Sequence, residues 1–119
     1  MAKNYENLDV WKSSIVLNKD IYLITQDFPK EELYGLTSQI RRASVSVASN
    51  IAEGAGRASK PDFSRFINIS LGSLNEVESL LFIARELKYL NSNKFNELKG
   101  SIEKLGAGLG AFKKYLSKE

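Results

Sequence analysis

The stretch that most restricts the fold is Tyr34 to Arg57, YGLTSQIRRASVSVASNIAEGAGR. At helical spacing, Leu36, Ile40, Ala43, Val47 and Ile51 form one apolar stripe, with Ser44 and Ala48 beside it. Gln39, Arg42, Ser46, Ser49 and Glu53 line a polar face at the same spacing. Small residues on both flanks let neighbouring helices come close, so this helix belongs at the centre of its fold. Gly54 and Gly56 are natural terminators, because glycine takes the left-handed conformation without a Cβ penalty. Thr37 or Ser38 can cap the start.

Three further helices are predicted around it. The first starts near Asn7 to Asp9, either of which can cap it. It presents Leu8, Trp11, Ile15 and Tyr22 along one seam and Val10, Leu17, Ile21, Ile24 and Phe28 along the next. Pro29 stops it. The third spans about Lys60 to Leu90, with Ser59 and Asp62 approximating a capping box and Pro61 in the first turn. Its seam is Phe63, Ile67, Leu74, Val77, Leu81 and Ala84, widened by Phe66, Leu80 and Leu87. Gly72, beside Ser70 and Ser73, suggests a close helix crossing. Asn91 to Asn93 forms a short turn. The fourth helix then alternates steps of three and four through Phe95, Leu98, Ile102, Leu105, Leu109, Phe112 and Leu116. No strand pattern competes. The fold class is all-α, a single domain over residues 1–119 arranged as an antiparallel up-down-up-down four-helix bundle.

The residues also carry a resemblance. GLTSQIRRASVSVASNIAEGAGR closely resembles the signature of the small bacterial four-helix-bundle proteins encoded in 23S rRNA intervening sequences. LDVWKSS, DFPKEELYGL and FSRFINISLGSLNEVESL are similar to that family too, so the resemblance covers roughly Leu8 to Leu90. One departure is Ala48, where the family often has proline. The family is in turn similar to the accessory proteins of diversity-generating retroelements, which form five-membered barrels. The resemblance therefore implies a homo-oligomer, with a pentamer the first expectation. Nucleic-acid binding is the usual proposal for such proteins.

Charge points the same way. From Arg41 to Arg65, five basic residues stand against Glu53 and Asp62, a surplus equal to the whole chain's +3. Arg57, Lys60 and Arg65 cluster at a loop and helix N-terminus, where free N–H groups also attract phosphate. Lys113, Lys114 and Lys118 form a second basic cluster. Two roles stay open for Arg41 and Arg42: pairing with Glu53, Glu76 or Glu78, or facing a phosphate. Glu53 itself opposes the dipole at its helix end, and Arg57 four residues on is its expected partner. Phe63 and Phe66 are expected in the core ahead of any base-stacking role.

The 119 residues contain no histidine and no cysteine. That removes Ser-His and Cys-His nucleophiles, Glu-x-x-His dimetal sites and tetrahedral zinc. Glu76 and Glu78, two apart on a helix, do not face each other and make a poor acid/base pair. Gly106 to Ala111 formally matches a dinucleotide fingerprint but lies inside a heptad seam, not after a strand. The N-terminus lacks the apolar core of a signal peptide, and no apolar run approaches the ~20 residues of a membrane span. The sequence thus reads as a cytoplasmic, non-enzymatic adaptor without cofactor, metal, membrane or small-molecule partner. It would bind nucleic acid, RNA ahead of DNA, through Arg41, Arg42, Arg57, Lys60 and Arg65. The alternative is a purely structural or protein-interaction oligomer.

Overall fold

The computed structural model describes residues 2–118, with side chains from Tyr5 onward. After a 3-10 turn at Ala2–Asn7 come four helices: α1 Asp9–Thr25, α2 Leu36–Ala55, α3 Lys60–Glu86 and α4 Ser92–Leu116. No strand occurs among the described residues. Each helix packs on its chain neighbours, and α4 closes against α1, in a body 47 Å long. The central stripe holds as read: Leu36, Ile40, Ala43, Val47 and Ile51 are all buried, and Ser44 and Ala48 join them. The α4 seam is likewise buried from Phe95 to Leu116, with Phe112 half-buried.

Several local expectations need correction. On α1 the buried line is Ser14, Leu17, Ile21 and Thr25, so Ile15 and Tyr22 stand exposed instead of facing the core. Ser14 and Thr25 are tolerated there because each hydroxyl donates to its own helix, to the carbonyls of Trp11 and Ile21 at 2.6 and 2.7 Å. Neither Asn7 nor Asp9 caps α1; Leu8 holds that position without a side-chain bond. The α2 cap is not Thr37 or Ser38 either. Glu32, on a 3-10 turn at Lys30–Glu32, accepts from the Leu36 N–H through Oε1 at 3.0 Å. By contrast Ser59 caps α3 as expected, accepting from the Asp62 N–H at 3.2 Å.

The glycines act differently from the sequence reading. Gly56 ends α2 at φ −86°, and no glycine has positive φ among the described residues. Gly54 serves packing: a Cβ there would lie 2.7 Å from Phe63 Cδ1 and 2.8 Å from Phe66 Cβ. Gly72 marks no crossing, since a Cβ there meets nothing within 4 Å. The close approach falls on its neighbours, where Ser70 Oγ donates to the Val47 carbonyl at 2.6 Å and Ser46 and Ser73 share a 2.8 Å hydroxyl bond.

Helix α3 ends at Glu86, earlier than expected, on Lys88 at φ 65°. The Lys88 N–H bonds the Arg85 carbonyl and the Tyr89 N–H bonds the Ala84 carbonyl, both at 2.9 Å, a Schellman closure built without glycine. Leu87 is left exposed. No uninterrupted apolar run of membrane-spanning length occurs in α3, yet by length and composition it passes for a membrane span, with a mean hydropathy of 1.2 over its most apolar window. Its Phe66, Ile67, Leu74, Val77, Leu80, Leu81 and Ala84 are buried against the other helices, which accounts for that hydropathy within a bundle.

Candidate nucleic-acid interface

The five expected basic residues do not form one surface. Arg41 and Arg42 sit on the first half of α2, and Arg57 follows its end. At ~1.5 Å per residue, Arg42 and Arg57 are about 20 Å apart along the helix.

Adjacent helix positions point about 100° apart, and the two arginines accordingly differ. Arg41 is half-buried and turns to α1. Its Nε donates to Thr25 Oγ1 at 2.8 Å, Nη2 to the Tyr22 carbonyl at 3.4 Å, and its guanidinium lies 4.6 Å from the Tyr22 ring centroid. This is a structural role, but the partners are not Glu53, Glu76 or Glu78. Glu78 lies instead 3.9 Å from Lys99. Arg42 faces outward and has no carboxylate within 4.0 Å among the described residues.

Arg57, Lys60 and Arg65 gather where α2 gives way to α3. Arg57 Nη2 meets Glu53 Oε2 at 3.0 Å, as read from the sequence, and its Nε lies 3.7 Å from Asp62 Oδ2. Arg65 Nε donates to Asp62 Oδ1 at 2.9 Å. Both guanidinium groups also lie over the ring of buried Phe66, 4.7 and 4.5 Å from its centroid. Phe66 is thus a core residue with a cationic lid. The arginine side chains remain 41% and 59% exposed, so their outer donors reach solvent. Lys60 is exposed at the first turn of α3 and makes no ion pair with a described residue. The two carboxylates offset part of this charge: three cations against Glu53 and Asp62 leave one in surplus.

One association was not legible in the sequence. Phe63 meets Phe112 edge to face, ring centroids 5.2 Å apart, which ties the start of α3 to the end of α4. Lys113 and Lys114, in the last turn of α4, therefore share an end of the bundle with Arg57, Lys60 and Arg65. Heptad spacing foretells that α4 packs, not which helix its last turn meets.

No group of three or more potential ligands that could hold a metal ion occurs among the described residues. Glu76 is exposed and Glu78 faces Lys99, so the two do not converge.

Comparison with known proteins agrees with the fold. A search of curated proteins gives no match. A solved structure, described as a protein with unknown function from the S23 ribosomal protein family of Bacteroides thetaiotaomicron VPI-5482, superposes with a TM-score of 0.80. The two share 22% identity, over 88% of this chain and 95% of that one. A family model described as 23S rRNA-intervening sequence protein matches residues 6–111. That span takes in all of the first three helices and most of the fourth, and the chain belongs to the 23S rRNA-intervening sequence protein family.

Proposed function

We propose that this protein is a non-enzymatic, oligomeric adaptor that binds nucleic acid, structured RNA ahead of DNA, by phosphate contacts from one end of its bundle. One observation carries the reading. Packing of Phe63 on Phe112 joins two basic clusters distant in sequence, Arg57, Lys60 and Arg65 with Lys113 and Lys114. The N-terminus of α3 adds partial positive charge at the same place. The described residues offer neither a helix-turn-helix reader nor an aromatic sheet platform, which favours backbone over base readout for this surface.

The helices are read as up-down-up-down and antiparallel. In support, α2 residues fall in number as their α3 partners rise: Gly54 with Phe63, Val47 with Ser70, Ser46 with Ser73. A homo-oligomer, a pentamer first by the resemblance to barrel-forming accessory proteins, would repeat the basic end and let weak sites act together. A cytoplasmic setting goes with this reading.

Electrophoretic retention of a stem-loop RNA at increasing salt tests it. Affinity should fall steeply as counterions are released. Replacing Arg57, Lys60 and Arg65 together by alanine should weaken binding to unrelated sequences alike and flatten the salt slope. Equal retention of parent and variant at low salt would remove this surface from consideration. The alternative is a protein-interaction oligomer with no nucleic-acid contact. Glu53 and Asp62, which offset much of the arginine charge, favour it. It predicts no RNA retention at any salt.

A further inference from the structure

We infer that the groove between Tyr34 and Arg42 takes one unstacked nucleobase of a structured RNA, together with its phosphate. This rests on the nucleic-acid reading above and adds a second contact to it, at the other end of α2.

Tyr34 precedes α2 and is 94% exposed, the most exposed large apolar side chain among the described residues. It does not stand alone. Tyr22, Leu33, Ser38, Arg41 and Arg42 line a common groove with it, of about 460 Å³, and Val45 completes the wall. No carboxylate of a described residue lines this groove. The nearby Glu32 is engaged elsewhere, accepting from the Leu36 N–H and the Tyr89 hydroxyl, each at 3.0 Å.

The two arginines divide the work. Arg41 is fixed by Thr25 and lies over the Tyr22 ring, so a guanidinium plane and an aromatic ring are ordered before any ligand arrives. Neither arginine of α2 has a carboxylate partner among the described residues, but Arg41 is engaged by Thr25 and the Tyr22 carbonyl, whereas the donors of Arg42 are free for an anion. A base stacks on aromatic rings and on arginine planes, and its phosphate takes a guanidinium. Unpaired loops and bulges present bases in this way, whereas a duplex does not. The volume of the groove falls in the ~300–1,000 Å³ range of small-ligand sites.

The test compares an RNA hairpin carrying an unpaired loop with the same stem closed as a blunt duplex, by fluorescence anisotropy at low salt. Tyr34→Ala should weaken the hairpin by about 5- to 150-fold, the range of one lost base–aromatic stack, and leave the duplex within about 2-fold. Tyr34→Phe should bind the hairpin like the parent. Arg42→Ala should weaken the hairpin and lower its salt slope by about one phosphate. Tyr34 is exposed, and circular dichroism of each variant should match the parent. Unchanged hairpin affinity in Tyr34→Ala, with loss in the Arg57, Lys60 and Arg65 triple variant, overturns the groove and leaves the broader reading standing. No binding of either RNA by the parent overturns both. A changed mass by light scattering, with hairpin affinity kept, makes the groove a subunit contact and overturns the inference as well.

Discussion

The hydroxyl of Ser70 on α3 donates a 2.6 Å hydrogen bond to the backbone carbonyl of Val47 on α2, with both residues fully buried. A side chain can reach a neighbouring helix's backbone only where the two axes come close, and two small residues permit that. Ser46 and Ser73 meet one turn away, and Asn50 Nδ2 donates to the Ser46 carbonyl and hydroxyl at 2.8 and 2.9 Å. The α2–α3 pair is therefore held by polar contacts inside an otherwise apolar seam.

Ser70→Ala should destabilise the fold by about 1 kcal/mol, the net value of one hydrogen bond, because the Val47 carbonyl keeps its helical partner. Ser70→Val should cost more, about 1–3 kcal/mol, because added methyls meet a seam with no spare room. Urea unfolding followed by circular dichroism reads both. Equal stability of the valine variant and the parent would show that the crossing is looser than this geometry.

Glycine substitutions separate packing from propensity. Gly54→Ala should destabilise by about 1–3 kcal/mol despite the better helix former, since its Cβ would meet Phe63 and Phe66 at 2.7 and 2.8 Å. Gly72, Gly100 and Gly110 open onto empty space, and alanine at each should stabilise by about 0.5–1 kcal/mol. Gly108→Ala should come out near neutral, because a Cβ 3.2 Å from Val10 Cγ1 offsets the gain. Lys88→Gly should stabilise by about 1 kcal/mol through its left-handed φ. Melting temperatures of the series give the order.

Neighbouring arginines should have opposite phenotypes. Arg41→Ala loses its bond to Thr25 and its place on Tyr22, and should destabilise by about 1–3 kcal/mol. Arg42→Ala should stay within about 0.5 kcal/mol of the parent. Chemical denaturation checks the contrast, and equal effects would deny the division of roles.

Stability should also respond to alkali through Tyr89. Its hydroxyl donates to Glu32 Oε2 at 3.0 Å, and this bond, with burial and the nearby charges of Glu32 and Glu31, raises the phenol above its ordinary value. A phenol raised in the folded state supports the fold fully below the ordinary pKa of about 10. That support is lost as pH climbs through the folded-state value. Between about pH 9 and 11, the parent's melting temperature should therefore fall more than that of Tyr89→Phe. Parallel curves would show that the bond to Glu32 has no such linkage.

The helices and most of the core were legible in the sequence because their apolar period is strong. Leu36 to Ile51 recur at steps of three or four, and Phe95 to Leu116 alternate the two strictly, which admits only a helix with one buried side. What escaped was set by partners outside each local window. Ile15 and Tyr22 look like core by spacing, yet Ser14 and Thr25 take the inward positions because they satisfy their hydroxyls on their own helix. Lys88 ends α3 without the glycine that marks such a turn. At the candidate interface, the pairing of Arg57 with Glu53 could be read from four-residue spacing. The anchoring of Arg41 on Thr25, and the meeting of Phe63 with Phe112, depend on how helices far apart in sequence pack, and no spacing rule carries that.

The carboxylates beside the basic end should tune its affinity for RNA. Asp62 accepts from Arg65 and lies near Arg57, and Glu53 holds the other side of Arg57. These pairs are largely exposed, so each is worth only about 0–1 kcal/mol to the fold. Asp62 also sits in the first turn of α3, where its charge favours the helix dipole by about 0.3–1 kcal/mol. Glu53 is at the unfavourable end of α2, so its loss there costs less. Changing Glu53→Gln and Asp62→Asn together removes two negative charges and keeps the backbone bond from the residue 62 N–H to Ser59 Oγ. Arg57 and Arg65 would keep their places over Phe66 with their donors released. If the phosphate reading holds, the double variant should bind a stem-loop RNA more tightly than the parent at low salt, with a steeper dependence on salt. Melting should change by no more than a few degrees. Titrations at several salt concentrations measure the slope directly. A double variant that binds no better than the parent, with its helicity intact, would place the RNA contact away from Arg57 and Arg65.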